Sequence, residues 1–295
     1  MNIKTKSIIT LCLTAWVSMP LSAQCYMGSV VDIDGTWTTA KNIKVEESQI
    51  VFTDHNGEEH TILNSHGNRT PVKVIHDVLY ADGNNSSTLK DEMVEQVKRC
   101  GKLVVFGYLN DRLWVKLAQG NNIDGITSAY FYNLSGNWNN SYFITMPYSS
   151  LSSVKFVNCK IEGVGDLYQF LKNSGITEFS FEGLELPGLN GLSYSFEGCS
   201  KLQKVSFVGL DTSKVTSVYD LFIGCSSLTE VDFSGCNLEN VTNYGNMFLK
   251  CNSLNTIKAI GCTPKTIETL QNAINQAKLS GKVTIVTDQE GATTE

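Results

Sequence analysis

Apolar residues recur along the C-terminal half of the chain with one fixed, long period. The phrase Phe-x-x-Cys-x-x-Leu-x-x-Val-x-Phe begins at Phe196, and closely similar phrases begin at Phe222 and at Phe248, each 26 positions after the one before. A constant period of roughly 20–50 residues is typical of solenoid proteins, in which each repeat stacks on its neighbours. The sequence therefore predicts a stack of repeats in this part of the chain.

Each repeat contains one short predicted strand. In Leu202-x-x-Val205-x-Phe207, alternate residues of an extended chain point the same way, so Val205 and Phe207 share a face. One isolated strand cannot bury these side chains, whereas stacked strands form a parallel sheet with a continuous core. Gly209 follows two residues later and permits the backbone to turn away from the sheet.

The period extends in both directions from these three phrases. Tracing it gives about eight strands, centred near residues 105, 130, 155, 180, 206, 232, 258 and 284. The end units differ, because residues 111–119 and 266–277 show the apolar spacing of helices. We therefore predict an α/β repeat solenoid over residues 87–287, with a parallel β-sheet face and helical end caps.

Residues 24–86 show strand character without the repeat. Asn56-Gly57 lies between two β-prone runs and predicts a two-residue hairpin, with Thr53 opposite His60 and His55 opposite Glu58. An alternating run over residues 72–80 predicts a further strand, and residues 88–99 have the caps and apolar stripe of a helix. The pattern predicts a small N-terminal β region ahead of the solenoid.

The first 23 residues have the pattern of a secretory signal. Lys4 and Lys6 precede the apolar run of residues 8–17, which is too short to span a bilayer, and Ala23 offers a small residue at the cleavage site. We expect export, with a mature chain beginning at Gln24. A lipid anchor on Cys25 is the less favoured alternative, since the residue before an acylated cysteine is normally small. No later stretch has transmembrane length, and residues 288–295 are a polar tail that we expect to be disordered.

Eight cysteines remain after the predicted signal, a number that would permit a disulfide framework in an exported chain. Their periodicity favours another interpretation. Cys199, Cys225 and Cys251 occupy one repeat position, and a second position alternates between cysteine and leucine. Where the two residue types interchange, cysteine serves as a small buried hydrophobe. We therefore predict structural thiols and neither disulfides nor a metal site in the repeats.

Charge and residue usage narrow the function. The chain has 23 Lys and Arg against 29 Asp and Glu, a net charge of −6, which argues against nucleic acid or an anionic membrane as the main partner. The predicted solenoid contains no histidine, and no nucleophile or phosphate-binding motif is present, so we expect a non-enzymatic protein without a cofactor. In the predicted hairpin, His55 and His60 would share a face, but a polar hairpin tip is the better interpretation and no metal site is predicted.

Two groups of residues are candidates for binding. The first follows the outward face of the predicted sheet, where mixed charge and a few aromatic residues suit contact with a protein. It comprises Tyr130, Tyr132, Lys155, Glu178, Lys204, Glu230, Asp232 and Lys258. An ordinary hydrated surface is the alternative for this group. The second is Trp138 with Tyr142, in a loop rich in Asn, Gly and Ser, where aromatic rings beside amide groups could stack on and hydrogen-bond a sugar or a protein loop. Packing of neighbouring aromatic residues beside a plain loop is the alternative there.

The repeat phrase resembles that of BspA-like leucine-rich-repeat proteins. The resemblance rests on the Phe-x-x-Cys-x-x-Leu-x-x-Val-x-Phe unit and on Leu210-Asp211-Thr212-Ser213-Lys214-Val215, and it is close over about residues 170–262. Units before Phe170 lack the cysteine, and Asn173 takes its place. The resemblance implies a right-handed leucine-rich-repeat solenoid, export to the bacterial surface, and adhesion to a host protein or matrix ligand without catalytic residues. A carbohydrate-binding accessory protein of a glycan-uptake system is the alternative function.

Overall fold

The structure is a computed structural model that describes residues 40–45, 49–54, 57–63, 72–75, 78–82, 101–108, 125–137 and 150–288. The chain divides into two compact units, Met1–Arg69 and Thr70–Glu295. Several predictions lie outside the described residues: the signal, the helix over 88–99, the helical cap over 111–119, the loop with Trp138 and Tyr142, and residues 289–295 of the tail.

The first unit contains a three-stranded antiparallel sheet of β1 (Ala40–Val45), β2 (Gln49–Asp54) and β3 (Glu59–Leu63), with β2 in the centre. Thr53 pairs with Glu59, and Phe52 pairs with His60. The predicted pairing of Thr53 with His60 is therefore wrong by one residue, because residues 55–58 connect the strands in place of a two-residue turn. His60 therefore lies on the face opposite to Thr53, while His55 lies outside the described residues.

The second unit is a parallel β-solenoid. Its strands are β4 (Val72–Ile75), β5 (Val78–Asp82), β6 (Lys102–Tyr108), β7 (Ser128–Asn137), β8 (Ser153–Val157), β9 (Cys159–Glu162), β10 (Glu178–Ser180), β11 (Leu184–Glu185), β12 (Lys204–Ser206), β13 (Glu230–Asp232), β14 (Thr256–Lys258) and β15 (Thr284–Val286). A strand lies at each of the eight predicted centres. One turn of the solenoid, here called a coil, therefore corresponds to one sequence repeat.

The strands form two sheets and not one continuous ladder. One has the order β11-β9-β7-β6-β5-β4 with β8 beside β7, and the other has the order β10-β12-β13-β14-β15. All neighbours are parallel except the β4–β5 hairpin, whose second strand pairs with β6. Strand β7 pairs with β8 through residues 128–132 and with β9 through residues 135–137, so it serves two ladders. The sequence predicted that the solenoid begins at residue 87, but the first of these two sheets already includes β4 and β5, which precede that residue.

The core consists of columns of identical or similar side chains. Strand register aligns Phe179, Val205, Val231 and Ile257, all of them buried. Phenylalanine rings stack from coil to coil, with centroid distances of 4.9 Å for Phe181–Phe207, 4.7 Å for Phe207–Phe233, 5.4 Å for Phe196–Phe222 and 5.8 Å for Phe222–Phe248. Rings at such distances add about 0.5–1.5 kcal/mol per pair to the hydrophobic burial.

Three positions in each coil have a left-handed backbone, and they recur with steps of 25 or 26 residues. The first set is Asn158, Gly183, Gly209, Gly235 and Gly261; the second is Gln169, Tyr194, Asp220 and Asn246; the third is Asn173, Gly198, Gly224 and Lys250. A left-handed backbone conformation is unfavourable for residues with a side chain. Its recurrence at the same positions marks where the backbone of each coil turns. The frequency of Gly and Asn in them follows from that restriction.

One α-helix occurs in the described part of the chain. Helix α1 (Pro264–Gln276) begins after Thr263, whose hydroxyl accepts a hydrogen bond from the Thr266 N–H at 3.3 Å. Leu270, Ala273 and Ile274 are buried. The prediction of a helix over residues 266–277 is thus confirmed, two residues longer at its start, where proline is favoured. No helix among the described residues is long and apolar enough to cross a membrane.

Candidate functional site

The outward face of the five-stranded sheet carries two columns of polar residues, which we call the sheet face. One column is Glu178, Lys204, Glu230, Thr256 and Thr284, and the other is Ser180, Ser206, Asp232, Lys258 and Val286. Between them runs the buried column that begins with Phe179. Because successive residues of a strand point to opposite faces, the same short strands build both the core and this surface.

The charges on the sheet face are only partly paired with one another. Lys258 Nζ lies 2.9 Å from Glu230 Oε1, with the two side chains 38% and 28% exposed. The hydrogen bond from this ammonium group to Glu230 raises the pKa of Lys258. Lys204 is exposed between Glu178 and Glu230 in its column, and it forms no ion pair with another described residue. Its ammonium group is therefore available to a partner.

The residues that the sequence predicted for the sheet face differ in exposure. Lys155, Glu178 and Lys204 are exposed, and Glu230, Asp232 and Lys258 are half-buried. Tyr132 pairs in register with Val157. The second predicted group, Trp138 and Tyr142, lies outside the described residues.

Tyr130 was expected on the same exposed face, but it is only 5% exposed. It alternates with the buried residues Ala129 and Phe131, as an outward position should. Alternation predicts the face to which a side chain points, but it does not predict whether that face is covered. Burial also raises the pKa of the Tyr130 phenol. Tyr130 is therefore removed from the candidate surface.

A second surface was not predicted from the sequence. Tyr168, Tyr194 and Tyr219, here called the tyrosine row, contact one another edge to face with centroid distances of 5.2 Å and 5.5 Å. Tyr168 is 39% exposed, and the other two are half-buried. The row lies beside the backbone bridges that join Asp166, Gly191, Ser217 and Asn243, about half a repeat after the strands of the sheet face. The tyrosines are 26 and 25 residues apart, close to the repeat period, but the bridges show that they do not lie in one repeat column.

Charged groups surround the tyrosine row. Lys172 Nζ lies 2.7 Å from Glu197 Oε2 and 5.9 Å from the centroid of the Tyr194 ring. Asp220 is 7% exposed, and no described residue forms a hydrogen bond with its Oδ1. Desolvation raises the pKa of Asp220, a hydrogen bond with Asn246 and the charge of Lys172 oppose this, and the negative charge of Glu197 adds to the increase. Desolvation, followed by the charge of Asp220, raises the pKa of Tyr194. The row therefore lies in a region of negative potential.

The cysteine columns have a structural role that includes hydrogen bonding. The Cys225 thiol donates to the carbonyl oxygen of Phe196 at 3.0 Å, and the Cys262 thiol donates to Phe233 at 3.1 Å. All six cysteines in the described residues are free, and no group of His, Cys, Asp and Glu there is placed to hold a metal ion. Burial raises the pKa of Cys251 to about 12, so this thiol is a poor nucleophile at neutral pH.

The chain is similar to one known family over part of its length. Residues 170–281 match the family described as "Mycoplasma protein of unknown function, DUF285". This segment contains the most regular coils, the sheet face from β10 to β14, and most of the tyrosine row. No curated protein and no solved structure matches the chain. The match supports a repeat family for this segment, and the finer resemblance to BspA-like proteins stays a prediction.

Proposed function

We propose that this chain is a non-enzymatic repeat protein that binds another protein through its sheet face. The observation that carries the proposal is the exposed Lys204, which lies between two carboxylates in a register fixed by the parallel ladder and has no ion pair within the described part of the chain. We further propose that the solenoid is a right-handed leucine-rich-repeat protein of the BspA-like type, exported or displayed at the bacterial surface for adhesion to a protein or matrix ligand.

Rigid presentation of the charged columns supports a binding role. The backbone positions of Glu178, Lys204 and Glu230 are held by parallel pairing on both sides of β12. Side chains on such a scaffold lose little additional backbone entropy when a partner binds. Alternating positive and negative groups favour a partner with the reciprocal arrangement and disfavour other partners.

Residue chemistry supports a non-enzymatic role. No histidine occurs in residues 77–295, and the described thiols in the two cysteine columns are buried or half-buried. Desolvation raises the pKa of Cys236 to about 12, as it does for Cys251. A thiolate nucleophile at neutral pH is thus disfavoured at the positions where cysteine is most frequent.

Charge reversal on the sheet face tests the proposal. A protein captured from a surface extract by the mature chain should bind the double variant Lys204→Glu, Lys258→Glu at least about tenfold more weakly, since two positive groups of the sheet face become negative. Lys265→Glu with Lys282→Glu changes the net charge equally at exposed positions away from the sheet face. Equal binding by both double variants would show that the sheet face is not the binding surface.

Export has a separate test. Mass spectrometry of the protein recovered from its native host should give an N terminus at Gln24. A mass increase that corresponds to acyl chains on Cys25 would indicate the lipid anchor, and an intact Met1 in the exported fraction would contradict cleavage. The alternative function in carbohydrate binding rests on Trp138 and Tyr142 and stays a prediction.

A further inference from the structure

We propose that the tyrosine row is a second binding surface, which accepts a basic segment of a partner protein through its lysine or arginine side chains. The surface consists of Tyr168, Tyr194 and Tyr219 with the neighbouring carboxylates Glu197 and Asp220. It is separate from the sheet face in sequence and in backbone ladder.

One cation of the chain itself already uses part of this surface. Lys172 Nζ lies over the Tyr194 ring at 5.9 Å from the centroid and pairs with Glu197 at 2.7 Å. An ammonium group within about 6 Å of a tyrosine centroid is attracted by the negative face of the ring. Lys172 therefore shows, within the structure, which type of group a tyrosine and a carboxylate of this row hold together.

The negative charge of the row exceeds what Lys172 neutralises. Lys172 pairs with Glu197, while Asp220 is 93% buried and its Oδ1 has no hydrogen-bond partner among the described residues. A hydrogen bond with Asn246 and the more distant charge of Lys172 stabilise the Asp220 carboxylate only in part, since its pKa is still raised. The register of the bridges places Asp220 one coil after Tyr194, directly following Tyr219 in the chain. Two carboxylates thus face one ammonium group, and a carboxylate in a poorly solvated place produces a stronger field than one in water, so the field attracts a second cation to the rings.

Ring geometry distinguishes a basic segment from a neutral sugar. The rings of Tyr168 and Tyr194 are inclined by 67°, and those of Tyr194 and Tyr219 by 65°. Sugar stacking needs a flat, open ring face, whereas an edge-to-face row directs ring faces toward neighbouring edges. A long cationic side chain can instead lie along the row with its charge near Glu197 and Asp220. The spacing of one tyrosine per coil suits an extended peptide that crosses several coils.

The probe for the test is a fluorescein-labelled octa-arginine peptide, whose binding is measured by fluorescence anisotropy at low salt. Asp220→Asn should weaken binding about fivefold. Asparagine tolerates the left-handed backbone at this position, as Asn246 does one coil later, so the variant should fold. The matched control is Asp211→Asn, which removes one charge from an exposed turn and should change binding less than about twofold.

Removal of one tyrosine ring is the second part of the binding experiment. Tyr168→Leu should weaken octa-arginine binding about threefold without a change in net charge, because it removes the most exposed ring of the row and with it a cation–π contact to the peptide. The proposal is overturned if Asp220→Asn and Asp211→Asn weaken binding equally, since the attraction would then be general. It is also overturned if Tyr168→Leu leaves binding unchanged, or if a neutral glucose hexasaccharide competes with the peptide through the same residues.

Discussion

The thiol of Cys251 donates a hydrogen bond to the carbonyl oxygen of Phe222, 29 residues earlier, at an S···O distance of 3.1 Å. The equivalent bond from Cys225 ends on Phe196, one coil before. Each cysteine of this column thus fills a small apolar site and also supplies a donor to a buried carbonyl group of the preceding coil. Leucine would fill the site without the donor, which accounts for the persistence of cysteine at this position.

Leu228 fills a central position of the core, and its replacement by alanine should lower the free energy of unfolding by about 2–5 kcal/mol. Its side chain is fully buried, and the equivalent residues of the neighbouring coils, Leu202 and Leu254, are buried as well, so the variant would leave a cavity inside a packed core. Urea denaturation of the purified protein measures the change. Cys225→Ala, which removes one sulfur atom and one hydrogen bond, should cost less, about 1–3 kcal/mol. A larger loss for Cys225→Ala would show that the thiol bonds dominate the column.

Buried thiols should make the solenoid less stable in alkali. Burial raises the pKa of Cys236 and of Cys251 from about 9 to about 12, so the folded state holds these protons more tightly than the unfolded state. The stability that these two thiols contribute is therefore fully present below about pH 9 and is lost as the pH rises toward 12. Each thiol should contribute a slope of about 1.4 kcal/mol per pH unit within that window. Urea denaturation at intervals between pH 8 and pH 10.5 measures the slope. Cys251→Ser should reduce it, and an unchanged slope would contradict the assignment.

Backbone conformation alone should make Gly224→Ala destabilising. Gly224 has φ +79°, and the nearest atom to an added Cβ lies 3.7 Å away, so no steric clash contributes. The left-handed conformation should cost the variant about 1–2 kcal/mol in thermal or urea unfolding. Lys250 occupies the equivalent position of the next coil with φ +67°, and Lys250→Gly serves as the opposite change. That variant should be as stable as the wild type or slightly more stable.

The ion pair between Lys258 and Glu230 should contribute little to folding. Both side chains are partly exposed, and exposed pairs typically contribute about 0–1 kcal/mol. Lys258→Met should therefore change the urea midpoint only slightly, while it alters the charge pattern of the sheet face. A loss of several kcal/mol would indicate that this surface is selected for stability and would weaken the case for binding.

The repeat was readable from the sequence because each coil uses the same side chains in the same places. Leu202, Val205 and Phe207 have equivalents in the neighbouring coils, so period and burial coincide. The N-terminal hairpin gave no such redundancy. A single Asn56-Gly57 signal predicted its turn, and the observed pairing of Thr53 with Glu59 differs by one residue. A local preference for a turn type does not fix register when a longer connection is available.

The tyrosine row escaped prediction for a related reason. The bridges from Asp166 through Gly191 to Ser217 align Tyr168 with Ser193 and Tyr219, and they align Tyr194 with Gln169 and Asp220. The three rings therefore belong to two different repeat columns and meet only because neighbouring coils are stacked. Reading residues column by column cannot find a contact that crosses between columns. Tyr130 is the opposite case. The sequence assigned it correctly to the outward column, but it did not predict that this side chain is buried.

The left-handed positions have a consequence for how the length of this protein can change. Steps of 25 and 26 residues both occur between equivalent turning points, so a coil accommodates a change of one residue between them, whereas loss of a turning point would leave that coil out of line with its neighbours. Gain or loss of a whole repeat leaves every interior ladder bond with an equivalent partner. Length should therefore vary in units of one coil, and each added unit extends the molecule by the strand separation of about 4.8 Å. The length of the solenoid is thus set by the number of repeats, and each new coil lengthens the sheet face by one strand.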